Sequence, residues 1–386
     1  MFNSKKYVLV NISCFVILII LSLGSFYSLI INAGFFPALD PLQIIRLHQF
    51  DLCIKNMQIP CRWSPDLGRG FGYPLFNFYP PLPYIIGEIF HLMGMSYIDS
   101  MKMVIINGFI LMAIFMFSLA KQFVKDNLFA LIAVSLYIYT PSRAVQIFVR
   151  GAINEFYATV FLPLIVYLII KIIKTNKKLY KLIFSFTFFL YILSHLIISF
   201  ISLPIIALVF FIFSFLEKKL NWENIKNFVF SVLIGTLMAS FFIIPAVLEI
   251  KDTYNFTMFE GYYDFNNHFV SISQLLLDNY WGYGLSYPGI NDGMSFAIGT
   301  IQLISIIISF ILFLSLIKKK KFKDKMGIYF TTCFFCGIFF IFMTTNYSVF
   351  LWNTLKFLKY LQFPFRFFFI FFIFYRTCWF VLGDFH

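Results

Sequence analysis

Residues 7–31 read YVLVNISCFVILIILSLGSFYSLII, with Lys5 and Lys6 just before them and no charged residue within. A helix needs about 20 predominantly apolar residues to cross a bilayer, and this run supplies them. It is longer than the roughly 7–15 apolar residues of a secretory signal, and no small-x-small cleavage site follows it. The run therefore reads as a signal anchor with a cytoplasmic N-terminus, because flanking Lys and Arg mark the cytoplasmic side.

Composition extends this reading to the whole chain. Hydrophobic residues make up 61% of the 386 and charged residues 12%, more apolar surface than a soluble domain can bury. The excess of 30 Lys and Arg over 17 Asp and Glu sits in short clusters between apolar runs. That is a topology code rather than a nucleic-acid footprint. The fold class expected is an all-α, multi-pass integral membrane protein with about ten transmembrane helices. The first span covers 7–33, an external loop 34–97, spans two to seven 98–249, a second large external loop 250–294, and spans eight to ten 295–382. Residues 182–216 are too long for one helix and are read as two, turning at Ser194-His195.

The first loop carries more chemistry than a connection needs. Residues 41–57 place Ile44, Leu47, Phe50, Ile54 and Met57 at helical spacing, which suits a helix lying in the membrane surface. A second short helix is expected over 82–95. Cys53 and Cys61 are either a disulfide or two thiols, since spacing alone does not set the geometry. Cys333 and Cys336, a CxxC within an apolar run, read as two thiols on a helix rather than a redox motif. Gly68, Gly70 and Gly72 in GRGFGY do not follow a strand into a helix, so they shape a turn rather than a nucleotide site.

Laying this topology over the polar residues gathers them on the external face. Asp40, Arg46, Arg62, Trp63, Arg69 and Tyr73 belong to the first loop, Arg150 and Glu155 to the next external turn, and His195 to a third. Trp281 and Asp292 belong to the large loop, and Arg366 to the last. No file of carboxylates runs through the spans, as it would in an ion pump. Each residue also has a plain structural reading. Asp40-Pro41 suits an N-cap followed by Pro at N1, Arg150 and Glu155 pair across a helix start, and His195 satisfies a tight turn. Trp63, Tyr73, Tyr79 and Tyr84 suit an interfacial belt. Glu88 and His91 share a helical face but make a weak metal motif.

Several segments resemble one family. They are LDPLQIIRLHQFDLCIKNMQIPCRWSPDLGRGFGYPLFNFYPPLPYIIGEIFHLMG, VRGAINEFYATVFLPL, ILSHLI, YWGYGLSYPGINDGMSFAIGTIQL and LQFPFRF. Together they are similar to bacterial membrane proteins labelled "6-pyruvoyl-tetrahydropterin synthase-related", whose architecture resembles the GT-C polytopic glycosyltransferases. The resemblance implies transfer of a sugar from a polyprenyl-phosphate carrier to an acceptor glycan or protein at the outer face of the plasma (inner) membrane. Asp40 matches the acidic residue that acts as catalytic base soon after the first span, and Glu155 and His195 are assigned to the catalytic set with it. Arg46, Arg62, Trp63, Arg69, Tyr73, Arg150, Trp281, Asp292 and Arg366 would bind substrate and phosphate. A lipid or polysaccharide transporter, a flippase, or an inactive family member are the alternatives. Relatives tend to read HDxQH where this chain has Leu39-Asp40-Pro41-Leu42-Gln43, without either histidine, so no metal ligands are assigned and a divalent-metal cofactor is left open. The zinc-binding histidine cluster of the soluble pterin synthase has no counterpart in His48, His91, His195, His268 and His386. Relatives also continue beyond the point where this chain stops, which the resemblance reads as C-terminal truncation.

Overall fold

In a computed structural model the described residues are 2–277, 280–289, 291–320 and 324–368. They form helices and turns, and the only β pairing among them is three isolated bridges. The long helices are α1 (Phe2–Ile31), α5 (Tyr97–Ala120), α6 (Asn127–Ile138), α8 (Ile153–Thr175), α9 (Lys178–Ser194), α10 (Leu196–Leu216), α11 (Trp222–Met238), α14 (Thr300–Lys318) and α15 (Lys325–Thr344). Short ones fill the connections: α2 (Gln43–Lys55), α3 (Leu75–Phe78), α4 (Leu82–Leu92), α7 (Pro141–Ala144), α12 (Ser240–Leu248), α13 (Ile272–Leu276) and α16 (Val349–Thr354).

Helix starts follow local chemistry. Ser96 accepts the Asp99 amide at the start of α5, Asp126 the Leu128 amide at α6, and Asn221 the Asn224 amide at α11. Each side-chain oxygen satisfies one of the amides a helix start leaves open. The centre of the bundle is α8, packed by α5 and α9. In α8, 83% of the apolar window is enclosed by protein, against 28% in α1 and 22% in α14. The outward faces of those two helices, with Ile20, Tyr27, Ile301, Ile307 and Ile311 exposed, suit a lipid solvent and no aqueous one. Lys102, itself buried, donates to the carbonyls of Asn32 (2.5 Å) and Ala33 (3.0 Å) just past the end of α1, where a helix dipole favours a cation.

Among the described residues, six helices are long and apolar enough to cross a membrane, or eight if two bent pairs each count as one span. The expected number, about ten, is for the whole chain. The stretch 127–140 continues through α7 into a π turn at Val145–Val149 with a 49° bend, and 222–248 breaks by 70° between α11 and α12. At the second break Pro245 has no amide to give the Phe241 carbonyl four residues back, and Arg62 donates to that freed carbonyl instead (3.3 Å) while Asn77 donates to Glu249 (2.6 Å). The turn expected at Ser194-His195 is present, but α9 at 17 residues is short of a span. The tenth span, placed at 366–382, falls outside the described residues beyond Phe368.

Lysine-rich turns meet at one end, where Lys219 donates to the Lys174 carbonyl (2.7 Å) and Asn176 to Glu223 (2.9 Å). The first loop folds down on the other end. Its helix α2 does not expose one polar side as an interfacial helix would. Gln43, Gln49 and Asp51 are buried with Leu47, Phe50 and Cys53, and Met57 lies past the helix, exposed. A Cys53–Cys61 disulfide closes the turn after α2, while Cys333 and Cys336 remain thiols.

Candidate functional site

The site begins with a backbone contact. The π turn presents the carbonyls of Val149 and Arg150, which accept from the amides of Leu39 (2.8 Å) and Asp40 (3.2 Å). The chain passes so close that a Cβ on Gly151 would lie 2.8 Å from the Asp40 carbonyl oxygen, and Gly151 has φ +66°. Both conditions call for glycine there. Gln43 reinforces the junction, its Nε2 donating to the Gly151 carbonyl (2.8 Å) and to Asp40 Oδ2 (2.9 Å).

Asp40 is not the N-cap of α2. That position is Leu42, whose amide reaches Asp40 Oδ1 at 3.4 Å. The carboxylate is organised by side chains instead. Oδ2 accepts from Arg46 Nη1 (2.7 Å), Tyr79 Oη (3.2 Å) and Gln43. Arg46 also donates to Tyr79 through Nη1 (3.0 Å) and lies 4.2 Å over its ring, and Tyr84 donates to Gln43 Oε1 (2.7 Å). The Asp40 side chain is 31% exposed and that of Arg46 12%. Arg46 spends only Nη1 on these bonds, so Nη2 and Nε are open among the described residues. Burial works against its charge, yet Tyr84, Tyr79 and Asp40 outweigh it and hold the guanidinium ionised. Burial pushes the Tyr79 phenol up to about 12, so it stays a proton donor.

Behind this pair lies a closed triad. Arg150 grips Glu155 bidentately (2.7 and 2.8 Å), and Arg366 reaches Glu155 Oε1 through Nε (2.9 Å) and Nη2 (2.7 Å). Arg366 Nη1 donates to the Leu361 carbonyl (2.6 Å), and Phe363 and Phe365 cover the guanidinium groups. Two cations share one carboxylate, and side-chain exposures are only 4–12%. His195, at the break between α9 and α10, senses all three charges. Burial first, then Arg366, push it down to about 3 despite Glu155. Its neutral ring accepts from the Ile198 amide at Nδ1 (3.3 Å), which leaves the proton on Nε2.

The structure therefore brings Asp40, Arg46, Arg150, Glu155, His195 and Arg366 together. It does not bring in the others. Trp63 and Tyr73 flank the turn closed by the Ser64–Tyr73 bridge, and Arg69 is exposed at its tip. Arg62 bonds to Asn77 and Phe241. Asp292 ties the Tyr287 amide to Gln274, and Trp281 packs on Tyr283. Sequence reasoning gave Gln43 no role and Tyr79 and Tyr84 a belt role. Their signal was the i+3 spacing of Gln43 from Asp40 and the proline-framed YPPLPY. Among the described residues, no three His, Cys, Asp or Glu side chains gather to hold a metal ion.

Residues 76–381 match the family described as 6-pyruvoyl-tetrahydropterin synthase related domain, a membrane protein family. The chain belongs to that family. The match takes in Tyr79, the triad and the His195 break, and starts after Asp40 and Arg46. An uncharacterized protein of Lactococcus lactis subsp. cremoris (strain MG1363) is 25% identical over 213 residues, 51% of this chain. The chain spans about a third of the length of that relative. No solved structure matches it.

Proposed function

We propose that this member of the 6-pyruvoyl-tetrahydropterin synthase related family is a membrane transferase of GT-C type. It would move a sugar from a polyprenyl-phosphate donor to the hydroxyl of a glycan or protein. The observation that carries the reading is the open Asp40–Arg46 pair, a part-exposed carboxylate beside a cation with unspent donors. Asp40 Oδ1 takes the proton of the acceptor hydroxyl as that oxygen bonds to the anomeric carbon. The bond from that carbon to the phosphate oxygen breaks, and Arg46 Nη2 and Nε receive the charge that develops on the phosphate. Tyr79 and Gln43 fix the other carboxylate oxygen. The triad, carrying one more cation than anion, holds the backbone at Gly151 and adds positive potential. The lysine-rich turns at the opposite end support a site on the outer face and a cytoplasmic N-terminus, by the positive-inside rule.

A lipid carrier or flippase is the second reading, and the two broken spans favour it, since transporters build binding sites at such breaks. Proteoliposomes supplied with labelled polyprenyl-phosphate sugars separate the two. Transfer that falls at least about 100-fold in Asp40→Asn supports the enzyme. Unchanged transfer removes Asp40 from the chemistry. Lipid movement across the bilayer without transfer from any donor supports the carrier.

A further inference from the structure

The chain leaves α15 at Thr344 and turns at once. Tyr329, near the start of that helix, donates to Glu217 (3.1 Å) beside the lysine-rich turns, and Leu361, beyond its far end, accepts from Arg366 of the triad (2.6 Å). The helix therefore runs from the lysine-rich end of the bundle to the triad end. Its 20 residues rise about 30 Å, the thickness of a bilayer's hydrocarbon core. The segment that follows, residues 346–361, thus begins at the depth of lipid headgroups.

This segment consists of a 3-10 turn (Asn346–Ser348), α16 and a second 3-10 stretch (Lys356–Leu361). Trp352, Leu358 and Leu361 are buried in the bundle, where the Trp352 indole donates to the Met343 carbonyl (3.2 Å) and stacks on Phe265. The side turned away from the bundle is apolar too: Tyr347 is 64% exposed, Phe350 60%, Phe357 48% and Tyr360 49%. Rings displayed next to the end of a span suit the headgroup boundary, where aromatic residues collect, better than water.

Lys356 and Lys359 stand among these rings, both exposed. No Asp or Glu occurs from Lys325 to Gly383, and among the described residues neither lysine has a carboxylate within ion-pair distance. A lysine rooted among lipid-facing rings runs its stem along them and sets its ammonium at the level of the lipid phosphates. Two cations with no carboxylate between them suit an anionic headgroup better than a zwitterionic one, whose own amine repels them. The arrangement is that of an amphipathic element lying in the interface.

We propose that residues 346–361 are an interfacial anchor for anionic glycerophospholipids, with Phe350, Phe357 and Tyr360 in the acyl boundary and Lys356 and Lys359 on the headgroup phosphates. The inference does not depend on the proposed transfer, and its test reads lipid contact rather than turnover.

The full chain is reconstituted in vesicles of phosphatidylcholine and phosphatidylglycerol, with a trace of one or the other lipid carrying a photoreactive group next to its headgroup, and the labelled peptides are mapped. On residues 346–361 the phosphatidylglycerol probe should label at least about fivefold more than the phosphatidylcholine probe, and the preference should shrink in 0.5 M salt, at a screening length of about 4 Å. Replacing both lysines, Lys356→Gln with Lys359→Gln, should bring the two probes level, whereas Lys356→Arg with Lys359→Arg should keep the preference. Both lysines are exposed, so the variants should elute as the wild type does. Phe350→Ser with Phe357→Ser should lower labelling by both probes alike. Equal labelling of the wild type by the two probes, or a preference that survives the glutamine pair, overturns the proposal. So does a segment that takes neither probe, or that cross-links to a second copy of the chain instead of lipid.

Discussion

Asp40–Arg46 and Arg150–Glu155–Arg366 use the same chemistry, guanidinium on carboxylate, within one backbone junction of each other. They differ in what is left over. Glu155 has both oxygens taken by two arginines and a side chain 4% exposed. Asp40 has one oxygen held and the other nearly open, with a side chain 31% exposed. A buried carboxylate facing two cations is a structural tie, and a part-exposed one with spare capacity is available for chemistry. The largest expected effect tests this split. Glu155→Gln strands two buried guanidinium groups and is expected to cost about 3–5 kcal/mol, read as lost yield and a lower thermal midpoint. Asp40→Asn breaks a part-exposed pair and should stay within about 1 kcal/mol. Equal destabilisation by the two substitutions would erase the distinction.

Gly151→Ala strikes where the two regions join. The new Cβ meets the Asp40 carbonyl oxygen at 2.8 Å and the Ala38 Cβ at 3.0 Å, at φ +66°. A cost of about 1–3 kcal/mol is expected, again from thermal unfolding. If the proposed transfer holds, the folded fraction should also show slower transfer, because the substitution pushes the Asp40 segment off the π turn. Full activity per folded molecule would mean that the triad does not position Asp40.

The contrast also explains what the sequence could disclose. Long apolar runs and lysine turns made α1, α5, α8, α10, α14 and α15 legible, because a span is a local property of composition. The 70° break at Ala239 was not. Pro245 frees the Phe241 carbonyl one turn back, but the groups that hold α12 at its angle, Arg62 and Asn77, come from far upstream. Arg366 and Glu155 could each be suspected from their types and the expected topology. That they bond to each other across 211 residues is a tertiary fact with no periodicity to betray it. Gln43 lies off the apolar side of residues 41–57, where spacing alone suggests solvent. The backbone of Gly151 buries it instead.

Acidification separates the two regions by a smaller amount. His195 has its pKa lowered from 6.5 to about 3 in the folded protein by burial beside the triad. The unfolded chain therefore binds a proton that the folded chain refuses between about pH 3 and 6.5. Stability from this group is full above that window and falls as pH drops through it. His268, lowered by burial as well, adds to the same trend. Replacing His195 with Asn keeps a side chain able to cap α10 and removes its titration. Between pH 7.5 and 5 the wild type should lose about 1–2 kcal/mol more than His195→Asn, measured by denaturant midpoints at both values. A variant as acid-sensitive as the wild type would remove His195 from the closed region's charge balance.

The smallest effect belongs to the open pair. Tyr79→Phe deletes one hydroxyl that donates to Asp40 Oδ2 and accepts from Arg46, while the ring stays under the guanidinium. Arg46 and Gln43 still hold the carboxylate, so the expected loss of stability is about 0.5–1.5 kcal/mol. On the proposed transfer, the rate should fall several-fold with the apparent donor affinity little changed, because the phenol bonds to Asp40 and Arg46 and would orient the carboxylate. Kinetics at varied donor concentration would show this as a fall in kcat with KM held. A rise in KM at constant kcat would instead place Tyr79 against the donor and redraw the open pair as a binding surface.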